Sequence, residues 1–258
     1  MACRALCVGI DEVPGVLGSP GGCGNDACAW ARLLVDHYDF PSGDVALLRN
    51  EDATRRALLA SIDRLLAGTR PGDLLVLTHA SLGTYVPDRD GDATYDEALC
   101  PWDYRANLVL DDEIRERFAN VPARVRIAFV ADSCHAGIAP ERASEPGDRR
   151  ARFLSPEAWG GASVPALAAL RPRRMAPAST AIRLAACAPN EPAWDADFDG
   201  RRHGALTYHA IRAIAERGYD LSWAELHAEL AARMTSAGFT QHPQLEARSS
   251  DRARRVFS

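Results

Sequence analysis

Cys134 stands in the run Asp132-Ser133-Cys134-His135-Ala136-Gly137, directly after an apolar stretch that reads as a β-strand. A thiol in a turn at a strand end is open to substrate, and the small residues beside it let a substrate approach the backbone. Amides after a sharp turn can form an oxyanion hole. Such a cysteine is a nucleophile once a nearby base takes its proton. A lone cysteine is more commonly a small buried hydrophobe, so the run by itself decides nothing. The chain has seven cysteines, at 3, 7, 23, 28, 100, 134 and 187, and no Cys-x-x-Cys pair. Cys23 and Cys28 have no second ligand pair nearby, which argues against zinc. Two acidic runs invite a calcium loop. Asp88-x-Asp90-Gly91-Asp92 has the wrong spacing, and Asp195-x-Asp197-x-Asp199-Gly200 ends with Leu206 where a bidentate glutamate is needed. Both read as solvated loops.

The elements that would position Cys134 alternate between strand and helix. Leu6–Ile10, Asp44–Leu48, Leu74–Leu77, Arg124–Ala131 and Ala181–Ala186 read as strands. Leu74-Leu75-Val76-Leu77 has the unbroken apolar character of a strand covered on both sides. Helices are expected from Asn25 or Asp26 to about His37, after Thr54, from about Asp111 to Ala119, over Leu206–Arg217, and after the capping box Ser222-Trp223-Ala224-Glu225. Leu58, Leu59, Ile62, Leu65 and Leu66 recur at the helical period. The alternation predicts a mostly parallel sheet with helices on both faces. Sites on such sheets gather at the carboxyl ends of the strands, here the loops after Leu77, Ala131 and Ala186. Gly83 to Asp112 reads as a long acidic, turn-rich stretch. Pro140 to Thr180 is a Pro/Arg/Gly/Ala-rich loop, too long for an ordinary connection.

Composition sets the outer bounds. The chain has 258 residues, 47% of them hydrophobic and 25% charged, with a net charge of −5. That is a globular balance, and the acidic total argues against non-specific nucleic-acid binding. Every one of the 30 basic residues is arginine. No apolar run of about 18 residues spans a bilayer. The start lacks a signal-peptide pattern, and the odd, scattered cysteines suit reduced thiols, so a cytoplasmic location is expected.

The sequence resembles metacaspases and related bacterial caspase-like peptidases. Asp132 to Gly137 resembles the nucleophile motif of that family. Gly22-Cys23-Gly24-Asn25-Asp26-Ala27 resembles its early Gly-Cys-x-x-Asp-Ala segment. Val86 to Asp92 and Tyr95 to Asp103 resemble the acidic loop after the catalytic histidine, and Leu110-Asp111-Asp112-Glu113-Ile114 the helix start that follows. Gly204 to Tyr208 and Gln241 to Leu245 resemble the later blocks. The resemblance spans most of the chain, in order. It implies a caspase–haemoglobinase-like three-layer sandwich: a mostly parallel six-stranded sheet with helices on both faces. It further implies one domain over 1–258. Within it, about 1–139 forms a large-subunit-like half with the nucleophile, 140–180 a linker, and 181–258 a small-subunit-like half.

By the same resemblance the activity is cysteine endopeptidase cleavage after arginine, or lysine, with Cys134 as nucleophile. The pocket residues fall on Cys23, Asp26, Asp132 and Ala80, where carboxylates give a guanidinium a bidentate partner. Calcium as an activator falls on Asp96, Asp111, Asp112 and Glu141, hard oxygen donors suited to that ion. Substrates are proteins or peptides with an exposed arginine. The arginine-rich loop 140–180, with Arg142, Arg149, Arg150, Arg152, Arg171, Arg173 and Arg174, is a candidate for self-processing. A monomer is expected, with no nucleic-acid or membrane partner.

One position breaks the pattern. The family's strand-end motif reads Ser-Gly-His-Gly, and this chain has Ala80-Ser81-Leu82-Gly83. Leu82 stands where the dyad histidine belongs, and leucine moves no proton. Loss of general acid–base help typically costs about 10²–10⁴ in rate. Three readings stay open: a pseudo-protease acting as a binding or regulatory module, an inactivating substitution at 82, or His79 as a substitute base. Residues 79 and 82 lie about 10 Å apart along extended chain. His79 reads more simply as a strand-end core residue, and His135 points away from the nucleophile. The family reading also expects the Cys134 sulfur in an open notch beside an acidic recess.

Overall fold

A computed structural model describes residues 1–16, 19–87, 95–134, 148–161, 181–189 and 191–258. The sheet grows from the apolar runs. Strands β1 (Cys3–Gly9), β2 (Val45–Arg49), β3 (Leu74–Ala80), β7 (Arg126–Asp132), β9 (Ala181–Ala185) and β12 (Gln244–Glu246) form six strands in the order β12-β9-β7-β3-β1-β2. All neighbours pair parallel except β12, which runs antiparallel to β9. β3 is buried along its whole length, as its unbroken apolar run requires.

Helices cover both faces. On one side lie α1 (Cys23–His37), α5 (Ala205–Glu216) and α6 (Trp223–Ser236). Their Trp30, Leu34, Leu206 and Leu226 pack with Val76 and Val130 of the sheet. On the other side α2 (Arg55–Leu66) and α3 (Asp111–Ala119) bring Leu58, Ile62, Ile114 and Phe118 against Leu75, Leu77 and Phe129. Caps fix where two of these helices start. Thr54 Oγ1 accepts from the Ala57 amide at 3.3 Å, and Ser222 and Glu225 satisfy each other's amides at 3.2 and 2.7 Å. Among the described residues no helix is long and apolar enough to cross a membrane.

Two stretches differ from the sequence reading. Gly83 to Asp112, read as irregular, carries a small antiparallel sheet of β4 (Gly83–Pro87), β5 (Tyr95–Leu99) and β6 (Val109–Leu110). Its strands are short and β5 carries Asp96 and Glu97, so period-two patterning is weak. The long linker also contains structure: β8 (Arg150–Ala151) and α4 (Pro156–Trp159). β8 pairs antiparallel with β10 (Trp194–Phe198), which pairs with β11 (Arg201–Gly204). A short helix, α7 (Ser249–Arg252), follows β12.

Candidate active site

β3 and β7 end side by side, with Ala80 paired to Asp132. Cys134 therefore leaves the sheet two residues beyond an inner strand, next to the turn at Leu82-Gly83. Its backbone amide and that of Gly83 converge on one atom, the carbonyl oxygen of Arg152, at 3.2 and 3.0 Å. Two amides on one carbonyl oxygen is the arrangement that would stabilise an oxyanion there. Cys134 is 1% exposed, not in an open notch. The chain's own segment through Arg152 lies against its backbone amide.

The acidic recess is present and filled. Arg152 is fully buried, and its guanidinium reaches Asp26 Oδ2 at 2.5 Å, Asp195 Oδ2 at 2.9 Å, and the carbonyl and Oδ2 of Asp132 at 3.0 and 3.3 Å. Its backbone amide donates to the Ala193 carbonyl at 2.8 Å. Burial opposes the guanidinium's charge, but Cys23, Asp132, Asp26 and Asp195 outweigh it and hold Arg152 well above its ordinary range.

Local structure explains each carboxylate. Asp26 sits in the first turn of α1, whose start is held by Asp11 accepting from the Gly24 amide at 3.0 Å. Asp26 also accepts from the Gly204 amide at 3.0 Å and meets His203 Nδ1 at 2.8 Å. Burial raises its carboxyl to about 6 against the pull of Arg152 and His203. Asp132 Oδ2 accepts from the Thr207 amide and hydroxyl at 3.0 and 2.7 Å. Asp195 accepts from the Gly22 amide at 3.0 Å and from Arg202 Nε at 2.7 Å. Cys23 lies fully buried beside them, its thiol pushed well above the ordinary range by burial. Gly204 admits no side chain, since a Cβ there would fall within 2.2 Å of Asp132 Oδ2.

Asp195 corrects the sequence reading: it is no solvated loop residue but a fully buried member of β10. Thr207 and Cys187 were also missed, although Thr207 lies inside the Gly204–Tyr208 block. Cys187 follows β9, hydrogen-bonds Cys134 and, through that bond and burial, is held well above its ordinary range. The Cys134 thiol donates to the Glu191 carbonyl at 2.9 Å. Glu191 is anchored in turn by His242 Nδ1 at 2.7 Å, and Gln241 ties the Ala186 carbonyl to the Trp194 amide at 2.8 and 2.9 Å. The Gln241-His242-Pro243 block thus fixes both loops that border the sulfur.

Leu82 is 2% exposed and belongs to the apolar cluster of Leu99, Cys100 and Leu154, not to the cluster that holds Cys134. His79 is buried on β3. Strand alternation sends it to the face of Leu75 and Leu77, while Ala80 faces the acids. Glu141 and His135 lie outside the described residues.

Asp111 lies within electrostatic reach of Glu97 and Asp96. Burial, then Glu97, raise the Asp111 carboxyl to about 7 against the pull of Arg183 and Arg115. Arg115 pairs with Asp112 and lies 3.7 Å from Asp111, and Arg183 takes Glu97 at 2.9 Å. Among the described residues no group of three or more His, Cys, Asp or Glu side chains is arranged for a metal. Glu141, the fourth residue of that expected set, lies outside the described residues, so the set is seen only in part.

Sheet order and site together define the class: a caspase-like α/β fold built around a cysteine beyond an inner strand. The chain belongs to the metacaspase, peptidase C14 domain family, whose model matches residues 3–141. Metacaspase-1 of Cryptococcus neoformans is 34% identical over 146 residues, 53% of this chain and 32% of that protein. Metacaspase-7 of Arabidopsis thaliana is 33% identical over 153 residues, 56% of this chain and 37% of that protein. The match thus spans about a third of each relative's length. Metacaspase-1 of Schizosaccharomyces pombe is 26% identical over 94% of this chain and 66% of its own length. Two solved structures share the fold. One is a Geobacter sulfurreducens protein with a TM-score of 0.77 at 21% identity, covering 100% of this chain and 99% of its own. The other is caspase-1 of Spodoptera frugiperda, with a TM-score of 0.58 at 12% identity, covering 95% and 86%.

Proposed function

We propose that this chain is an arginine-recognising cysteine endopeptidase whose cleft holds its own Arg152 as a substrate would be held. The observation that carries the reading is that Arg152 occupies two subsites at once. Its side chain lies among Asp26, Asp132 and Asp195, and its carbonyl oxygen lies between the amides of Gly83 and Cys134. A planar guanidinium uses several carboxylate oxygens together, which an ammonium does less well, so arginine is preferred over lysine.

In turnover the Cys134 thiolate attacks the carbonyl carbon and the two amides stabilise the oxygen; the C–N bond then breaks as the amine takes up the proton the thiol gave up, and water hydrolyses the thioester to release the acid and restore the thiol. Leu82 gives no proton to that amine. The chain as it stands therefore holds its own arginine segment and cuts it slowly. The scissile bond it presents to itself is Arg152–Phe153. The other described arginines of that segment are engaged elsewhere: Arg149 over the Phe239 ring at 3.9 Å, and Arg150 on the Ser19 carbonyl at 3.1 Å. Calcium has no part in this reading.

The test is hydrolysis of Arg-, Lys- and Asp-ended fluorogenic peptides by the chain, by Leu82→His and by Leu82→His/Cys134→Ala. Arg-ended turnover is expected from Leu82→His and not from the double variant. A folded Leu82→His protein that matches the double variant removes the peptidase reading. Equal turnover of Asp-ended peptide removes the arginine reading.

The alternative function is a holding module, favoured by the apolar setting of Leu82. Measurable Cys134-dependent turnover by the unaltered chain would exclude it.

A further inference from the structure

The segment that fills the acid recess does not stop at Arg152. Gly83 donates to the Arg152 carbonyl at 3.0 Å and accepts from the Leu154 amide at 2.8 Å, a parallel bridge with Phe153 at its centre. The chain is thus gripped on both sides of the Arg152–Phe153 bond. Beyond that bond the side chains are also received. The Phe153 ring stacks on Tyr85 with centroids 6.2 Å apart and planes 15° apart. Tyr85 meets Tyr95 edge-on at 5.7 Å. All three rings share the apolar cluster of Cys134. The two tyrosines sit diagonally on paired strands, Tyr85 opposite Glu97 and Tyr95 opposite Pro87, so both rings lie on one face of that small sheet. The Tyr95 hydroxyl is buried with no hydrogen-bond partner among the described residues. Leu154 enters the cluster of Leu82, Leu99 and Cys100. Trp159 closes this side through a 3.1 Å bond to Thr84.

Upstream of Arg152 the segment is held chiefly through its backbone, Ala151 and Arg150 pairing with Trp194 and Asp195 of β10. Ala151 is small, and Arg150 reaches a carbonyl and the exposed Asp148.

We infer that Tyr85 and Tyr95 form a subsite for an aromatic side chain immediately after the arginine, followed by an apolar subsite walled by Leu82. The ligand class is a peptide reading Arg–aromatic–aliphatic. This rests on the proposed seating of Arg152 as a substrate residue. It assigns Leu82 a second consequence: a residue that supplies no proton supplies apolar wall.

The test is peptide binding, which needs no catalysis. A fluorescent peptide copying residues 148–157 is titrated by anisotropy into the full chain carrying Arg152→Ala/Phe153→Ala, which empties the two side-chain subsites and weakens the hold of the resident segment. Replacing the peptide's phenylalanine by alanine should weaken binding at least tenfold, and Tyr85→Ala in the protein should erase that ratio. A ratio within twofold overturns the aromatic subsite. Replacing the peptide's arginine by alanine reads the acid recess separately. If that change alone is neutral, the arginine reading falls and the aromatic subsite stands. No binding of the unaltered peptide overturns both. Should the double variant not fold, hydrogen exchange in the chain carrying only Phe153→Ala or Tyr85→Ala supplies the answer. The Leu154 amide should exchange at least tenfold faster than in the unaltered chain, and unchanged exchange overturns the inference.

Discussion

Arg152 offers its carbonyl oxygen to the Cys134 amide at 3.2 Å while its guanidinium lies buried on Asp26 at 2.5 Å. One residue thus links the nucleophile's backbone to the charge recess. The recess holds more carboxylate than Arg152 alone can neutralise. Arg202 shares Asp195 and His203 shares Asp26. A buried charge set of this kind is costly to break from one side, because the remaining partners stay desolvated.

Arg152→Ala therefore destabilises the fold at neutral pH by about 3–5 kcal/mol, the usual penalty for removing one partner of a buried ion pair. The loss shrinks in acid. Asp26 has a folded pKa of about 6, above its unfolded value. Its favourable contribution is complete below the unfolded pKa and is lost as pH rises through 6. Chemical denaturation at pH 5 and pH 8 checks this, and an equal loss at both would refute it.

Asp111 makes a second pH-dependent contribution of the same sign, since burial and Glu97 raise it to about 7. Asp111→Asn should melt roughly 2–4 °C above the unaltered chain at pH 8, with the gap closing toward pH 5, where the native carboxyl is already neutral. Differential scanning calorimetry across that range is the measurement.

Gly204→Ala should cost about 1–3 kcal/mol, the usual range for overpacking. The backbone there, at φ −68°, accepts any residue. The added methyl instead meets Asp132 Oδ2 and Arg152 Nη1. A matched Gly218→Ala control separates the two effects: it has open space but φ +64°, so its cost is backbone strain alone.

Leu82→His should hydrolyse an Arg-ended peptide at least ~10² faster than the unaltered chain, the lower end of what general acid–base help supplies. Steady-state assays of both proteins read the ratio directly. A ratio near one would mean that position 82 does not face the reaction.

Much of this was legible because apolar runs and helix periods are local signals. The strands around Leu74–Leu77 and Arg124–Ala131, the helix after Thr54 and the Ser222 cap all declare themselves within a few residues. The recess was partly legible, since Asp26 and Asp132 lie in recognisable blocks. Asp195 was not, because its meaning depends on pairing with Arg150 across the sheet edge and on a guanidinium 43 positions earlier. Arg152 itself was one of several arginines in a loop, and nothing in its neighbours separates it from Arg149 or Arg150. Burial of Cys134 was equally hidden, since its partners at Arg152 and Glu191 are distant in sequence.

The most direct test of the seating of Arg152 is intact-mass spectrometry of Leu82→His after incubation, with Leu82→His/Cys134→Ala alongside. Two fragments, 1–152 and 153–258, from the first protein and a whole chain from the second are the predicted result. A whole chain from both, or Cys134-dependent cleavage at another bond, would contradict it.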